Sequence, residues 1–135
     1  MWKIDRIDHV VLWVRDLERS MRFYEALGFE IDDESLARHK AGKIPFVAVK
    51  AGMSRIELRP DPEWCAVARE RGNMQHVNIV IDGIEDIAVV VAENRRRGVD
   101  PAFPPEIQGG SWRVDYYDPD NNRIEMALAA PALRN

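Results

Sequence analysis

Apolar and polar positions alternate along this chain with two periods, one suited to strands and one to helices. Residues 7–14, "IDHVVLWV", are β-branched and aromatic and predict a strand. In "LERSMRFYEAL", Leu17, Met21, Tyr24 and Leu27 recur at helical spacing with Phe23 alongside. Asp16 offers that helix an N-cap and Gly28 a stop. "FEIDDE" predicts a second strand, "SLARHKAGK" a polar loop, and "IPFVAVK" at 44–50 a third strand. Gly52 marks a turn before a fourth, "SRIELR". Pro60 and Pro62 then break the pattern, and "EWCAVARERG" predicts a short helix before Gly72.

The pattern then starts again. "MQHVNIVI" at 74–81 predicts a strand. Asp82 and Glu85 have the spacing of a capping box, opening a helix over "IEDIAVVVAENRRR" that Gly98 closes. "VDPAFPPEIQGG" reads as loop with room for a short edge strand. "SWRVDYY" predicts a strand, "DPDNN" a turn and "RIEMALA" the last strand, with "APALRN" a loose tail. The two halves can be laid over one another, and the triplet Arg-Ile-Glu occurs once in each. The step from His9 to His76 matches the step from Glu57 to Glu125 to within one residue.

Strand alternation sorts these residues by face. Val10, Leu12 and Val14 oppose His9, Val11 and Trp13; Ile56 and Leu58 oppose Arg55, Glu57 and Arg59. Val77, Ile79 and Ile81 oppose His76, Asn78 and Val80; Ile124, Met126 and Leu128 oppose Arg123, Glu125 and Ala127. Each strand thus has one apolar face to pack under a helix and one face carrying a His or a Glu. A solvated sheet face accounts for one such charge. It accounts less well for two histidines and two glutamates at matching positions of a repeat. Nitrogen and oxygen donors without thiolate suit Zn²⁺, Fe²⁺, Mn²⁺, Ni²⁺ or Co²⁺.

Composition narrows the classes. The chain has 135 residues, the size of one compact domain, and 46 % are apolar, enough for a core. A formal charge of −4 argues against nucleic acid as a partner. The longest basic run, Arg95–Arg97, closes a helix, where cations suit the dipole. No run approaches the ~18 apolar residues of a membrane span, and the start reads as a strand rather than a signal peptide. The single cysteine, Cys65, has no internal partner and fits a cytoplasmic setting; it reads as no nucleophile. His39 reads as a surface residue, and Trp13, Trp64 and Trp112 read either as lining an apolar substrate pocket or as core or interface packing. Tyr116 and Tyr117 put one side chain on each face.

Two βαβββ halves carrying His9, Glu57, His76 and Glu125 resemble the vicinal oxygen chelate superfamily. That group holds glyoxalase I, methylmalonyl-CoA epimerase, extradiol dioxygenases, and fosfomycin- and bleomycin-resistance proteins. The resemblance spans residues 5–128 and is sharpest over "IDHVVLWVRDLERSMRFYEALGFE" and "YYDPDNNRIEMA". It implies an α+β fold in which two tandem βαβββ modules form a cupped, mixed eight-stranded sheet with helices on the convex face. The modules would span about 4–60 and 74–128, joined by a linker over 61–73, as one domain over 1–135. It implies a divalent metal held by His9, Glu57, His76 and Glu125. It further implies a glyoxalase I-like lyase or isomerase acting on a small 2-oxo or 2-hydroxy compound. Glu125 is then the base and Glu57 the partner that returns a proton, with Trp13, Arg55, Asn78 and Arg123 lining a substrate pocket. An Fe(II)-dependent ring-cleaving dioxygenase and a ligand-sequestering protein of the bleomycin-resistance kind are the alternatives. The resemblance also implies a homodimer. Trp13 stands near the place where glyoxalase I carries a basic residue, and Asn121 where many members carry Gly.

Overall fold

The computed structural model describes residues 1, 3–61, 63 and 74–129. The short helix expected in the connecting segment, the tail, Trp64 and Cys65 lie outside the described residues. The chain divides into two compact units, residues 1–68 and 69–135. The first runs β1 (His9–Val14), α1 (Leu17–Ala26), β2 (Glu30–Ile31), α2 (Asp33–Lys40), β3 (Val47–Ala51) and β4 (Ser54–Pro60). The second runs β5 (Val77–Ile81), α3 (Ile87–Arg96), β6 (Glu106–Gln108), β7 (Ser111–Tyr117) and β8 (Arg123–Leu128). Each unit holds its own four-stranded mixed sheet, ordered β1-β4-β3-β2 in the first and β5-β8-β7-β6 in the second. In each sheet the first strand pairs parallel with the last, and the remaining pairs are antiparallel. The expected pair of βαβββ modules is therefore present, making an α+β fold.

The helices form where their ends are chemically marked. Asp16 is extended, and its carboxylate accepts from the Arg19 N–H at 3.1 Å, which caps α1. At the other end the Phe29 N–H reaches the Tyr24 carbonyl and the Gly28 N–H the Glu25 carbonyl, both at 3.0 Å. This closure needs a left-handed residue, and Gly28 supplies it at φ 102. The buried face of α1 is Ser20, Met21 and Tyr24, packed over β3 and β4, where Val47, Val49, Ile56 and Leu58 are buried. The Tyr24 ring meets Phe23 and Phe29 edge-on, with centroids 5.2 and 5.3 Å away.

In the second unit α3 buries Ile87, Val90, Val91 and Asn94 and packs on β7. Asn94 Nδ2 donates to the Tyr116 hydroxyl at 2.9 Å, and burial pushes the Tyr116 phenol above its ordinary value. Tyr116 thus takes the helix side while Tyr117 is exposed, one side chain to each face as the sequence predicts. The "DPDNN" turn is built on buried Asp118. Its carboxylate accepts from the N–H groups of Asp120 and Asn122 and from Asn122 Nδ2, at 2.8–2.9 Å. Asn121 takes the left-handed conformation there, at φ 62.

Four expectations need correction. "SLARHKAGK" is not a loop: most of it belongs to α2. Asp32 ends β2 and caps the helix, accepting from the Ser35 N–H at 3.0 Å. Acidic Asp33 and Glu34 open the helix, and Arg38, His39 and Lys40 close it, in accord with the helix dipole. Accordingly β2 is two residues long rather than the whole of "FEIDDE". His39 is a half-buried helix residue whose Nδ1 lies 3.0 Å from the Ile44 carbonyl oxygen. Lastly, α3 is capped by Asp86, accepting from the Ala88 N–H at 2.9 Å, and not by Asp82. Asp82 spends its carboxylate on the Gly83 N–H in a preceding turn.

Candidate functional site

The first unit brings together two of the four expected ligands. β1 and β4 pair in parallel with His9 opposite Arg55 and Val11 opposite Glu57. That register sets His9 Nε2 at 3.8 Å from Glu57 Oε2. Glu57 is buried, 6 % exposed, in the middle of a strand. Asp8 Oδ2 lies 2.8 Å from His9 Nδ1, which fixes the ring and leaves Nε2 turned to Glu57. That hydrogen bond holds the Asp8 carboxyl below the usual carboxylate range, with Arg55 adding to it. Arg55 joins both acids: its Nε is 3.3 Å from Glu57 Oε2 and its Nη2 3.4 Å from Asp8 Oδ2.

The second unit builds a different surrounding for its glutamate. β5 and β8 pair with Asn78 opposite Glu125, and β7 and β8 with Asp115 opposite Glu125. Glu125 is 3 % exposed. Its Oε1 accepts from Asn78 Nδ2 at 2.5 Å and from Arg113 Nη1 at 2.8 Å. Its Oε2 has Arg123 Nη2 at 3.9 Å. Arg123 is bonded instead to the buried carboxylate of Asp115, at 2.9 Å, and this bond raises the guanidinium further above its ordinary value. His76 stands just ahead of β5, is exposed, and lies against the side-chain oxygen of Gln75. It makes no ion pair with Glu125.

Among the described residues no three His, Cys, Asp or Glu side chains gather as a ready set of metal ligands. The donors nonetheless fit a divalent metal chemically. His9 presents Nε2 beside a buried carboxylate, and Glu125 keeps Oε2 without a hydrogen bond while Oε1 is doubly held. Imidazole nitrogen with carboxylate oxygen is a donor set for first-row divalent ions. Of the other pocket candidates, Trp13 is half-buried and covered by the Arg59 guanidinium, 5.2 Å from the ring centroid. Trp112 is exposed and lies opposite Ile107 of β6, on the face of Val114 rather than that of Glu125.

Asp8, Arg113 and Asp115 were not legible as site residues from spacing alone. A signal existed for two of them: in "SWRVDYY" Arg113 and Asp115 share strand parity, and β7 runs beside β8.

Comparison with known proteins gives one family. The model of the Glyoxalase/Bleomycin resistance protein/Dioxygenase superfamily matches residues 6–126. No curated protein matches the chain. Among solved structures, a virulence protein from Salmonella typhimurium is 26 % identical with TM-score 0.72, over 96 % of this chain and 100 % of that one. A fosfomycin resistance protein from Mesorhizobium loti is 21 % identical with TM-score 0.68, over 98 % of each chain. A glyoxalase/dioxygenase from Nostoc punctiforme is 19 % identical with TM-score 0.70, over 91 % of this chain and 90 % of that one. At these last two identities the likeness speaks to fold alone.

Proposed function

The chain belongs to the Glyoxalase/Bleomycin resistance protein/Dioxygenase superfamily, and from that premise we propose that it is a metal-dependent lyase or isomerase of the glyoxalase I kind. Its substrate is a small molecule with two neighbouring oxygens, a 2-oxo or 2-hydroxy compound. His9, Glu57, His76 and Glu125 are the proposed ligands. The observation that carries this reading is the His9–Glu57 pair, an imidazole nitrogen 3.8 Å from a buried carboxylate, with Glu125 buried at the matching place of the second repeat.

When bound, a divalent metal supplies Lewis acidity that stabilises charge on the substrate oxygens. The chain's own groups do the rest. Asn78 and Arg113 hold Glu125 by one oxygen and so aim the other. Glu125 Oε2 takes the proton from the carbon that bears the hydroxyl, and Glu57 takes the hydroxyl proton and returns it to the neighbouring carbon. Glu125 passes its proton to the former carbonyl oxygen, so that both carboxylates are regenerated. Each glutamate has a guanidinium beside it, Arg55 Nε at 3.3 Å from Glu57 Oε2 and Arg123 Nη2 at 3.9 Å from Glu125 Oε2. Trp13, Arg55, Asn78 and Arg123 are the proposed pocket wall. A cytoplasmic homodimer is the proposed working form; no helix among the described residues is long and apolar enough to cross a membrane.

The test is proton exchange on a 2-hydroxy ketone in deuterated water, followed by NMR with the metal-loaded protein. Exchange should be lowered about 10²–10⁴-fold in Glu125→Gln. Exchange unchanged in that variant would remove Glu125 as the base. Oxygen uptake with a catechol, without proton exchange, would replace the reading with that of a dioxygenase. A second reading, a ligand-sequestering protein, is favoured by one observation: His76 stands apart from Glu125. It predicts neither exchange nor oxygen uptake.

A further inference from the structure

Arg113, Asp115 and Arg123 lie on the Glu125 face of β7 and β8, and each carries an atom shut off from solvent without a hydrogen-bond partner. These atoms are Arg113 Nε, Asp115 Oδ1 and Arg123 Nε. Buried polar groups are nearly always paired, because an unpaired one forfeits its solvation. Three orphans on two adjacent strands point to a ligand that supplies what they lack. The two guanidiniums lack acceptors, and Asp115, itself 7 % exposed, lacks a donor.

The arginines have capacity to spare. Each has five N–H groups. Arg113 commits Nη1 to Glu125, and Arg123 commits Nη2 to Asp115. Their side chains are 31 % and 26 % exposed, so a turn of either fork brings an uncommitted edge to a ligand. Charge points the same way. Arg113 and Arg123 balance Glu125 and Asp115, and exposed Glu106, opposite Arg113 on β6, leaves this face with one negative charge. A divalent cation on Glu125 turns it net positive by one charge, and the counter-charge has to arrive with the ligand.

We propose that Arg113 and Arg123 grip the carboxylate of the substrate, which is a small 2-hydroxy acid whose hydroxyl donates to Asp115. This rests on the metal-dependent reading and narrows its substrate class to acids. A carboxylate suits the site because a guanidinium binds it by two parallel N–H bonds. Asp115 acts on Arg123 as a positioning residue, and Arg113 is the freer of the two contacts.

Cobalt(II) uptake by the wild type, Arg113→Gln and Arg113→Lys, measured without acid, tests the metal reading by itself. Lactate and its neutral amide, lactamide, are then titrated into the same proteins, both cobalt-loaded and EDTA-treated. Lactate should bind the loaded wild type about tenfold more tightly than lactamide, as charge-assisted hydrogen bonds allow. At saturating cobalt, Arg113→Gln should lose that preference and Arg113→Lys should keep part of it. Because Arg113 also holds Glu125, both variants should take up cobalt about 10–100-fold more weakly than the wild type. The lysine variant keeps the charge and so answers for any loss of folding in the glutamine variant. Equal binding of lactate and lactamide by the wild type, or a full preference in both variants, overturns the proposal. Cobalt uptake with no preference that depends on Arg113 leaves the metal reading standing and removes the anion site. A preference that depends on Arg113 in protein that takes up no cobalt does the reverse.

Discussion

Asp8 is the residue that gives His9 a direction. Its carboxylate at 2.8 Å from Nδ1 leaves the other ring nitrogen toward Glu57. Outer partners of this kind are worth about 10–100-fold in metal affinity. Asp8→Asn is therefore expected to weaken metal binding by that factor in a competition titration, with the fold intact; unchanged affinity would show that the contact does not orient the ligand. His9, Glu57, His76 and Glu125 were legible in the sequence because a repeat shows itself in spacing. Asp8, Arg113 and Asp115 were not, because their roles depend on which strands lie side by side. Arg113 reaches Glu125 across a strand pair, and no linear motif joins the two. The same residues separate the two glutamates. Glu57 has one arginine and one histidine near a single oxygen, whereas Glu125 is held by an amide and a guanidinium through the other.

At the scale of elements, each helix among the described residues begins at an aspartate outside its first turn: Asp16, Asp32 and Asp86. Loss of such a cap costs about 1 kcal/mol. Asp16→Ala should lower stability by that amount in urea unfolding; no change would mean that packing of Tyr24 and Met21 alone sets the helix start. Asp32 adds a dependence on pH. Burial raises its pKa, but hydrogen bonds from Ser35 and the charge of Lys50 outweigh this, and the net shift is downward from 3.8. A lowered folded-state value stabilises the protein above 3.8 and loses that contribution as pH falls through the folded value. Asp32→Asn keeps a capping oxygen and loses the charge. Its stability should fall below wild type at neutral pH and converge with it in acid; parallel curves would count against the charge. The helix that Asp32 opens was missed because "FEIDDE" continues an apolar run, and a strand period hid the cap. α3 was found but started too early, because Asp82 and Glu85 satisfy a capping pattern that the chain uses for a turn.

Across the whole molecule, what was legible was duplication. Apolar strands with one polar-bearing face, a capped helix and an Arg-Ile-Glu triplet appear twice, and two compact units with the same sheet order follow. The period-two pattern fixes which face of each strand must be buried, but not which strands lie side by side. The duplication also fixes what the two histidines should have in common, because each stands two residues from the strand position opposite its glutamate. If both units contribute to one metal, removing either histidine must weaken the same site. Cobalt(II) stoichiometry and affinity in the wild type, His9→Ala, His76→Ala and Glu125→Gln measure this directly. Expected is one ion per chain in the wild type and a marked loss of affinity in all three variants. No uptake by the wild type, or uptake that Glu125→Gln and His76→Ala leave unchanged, would contradict a shared centre built on His9, Glu57, His76 and Glu125.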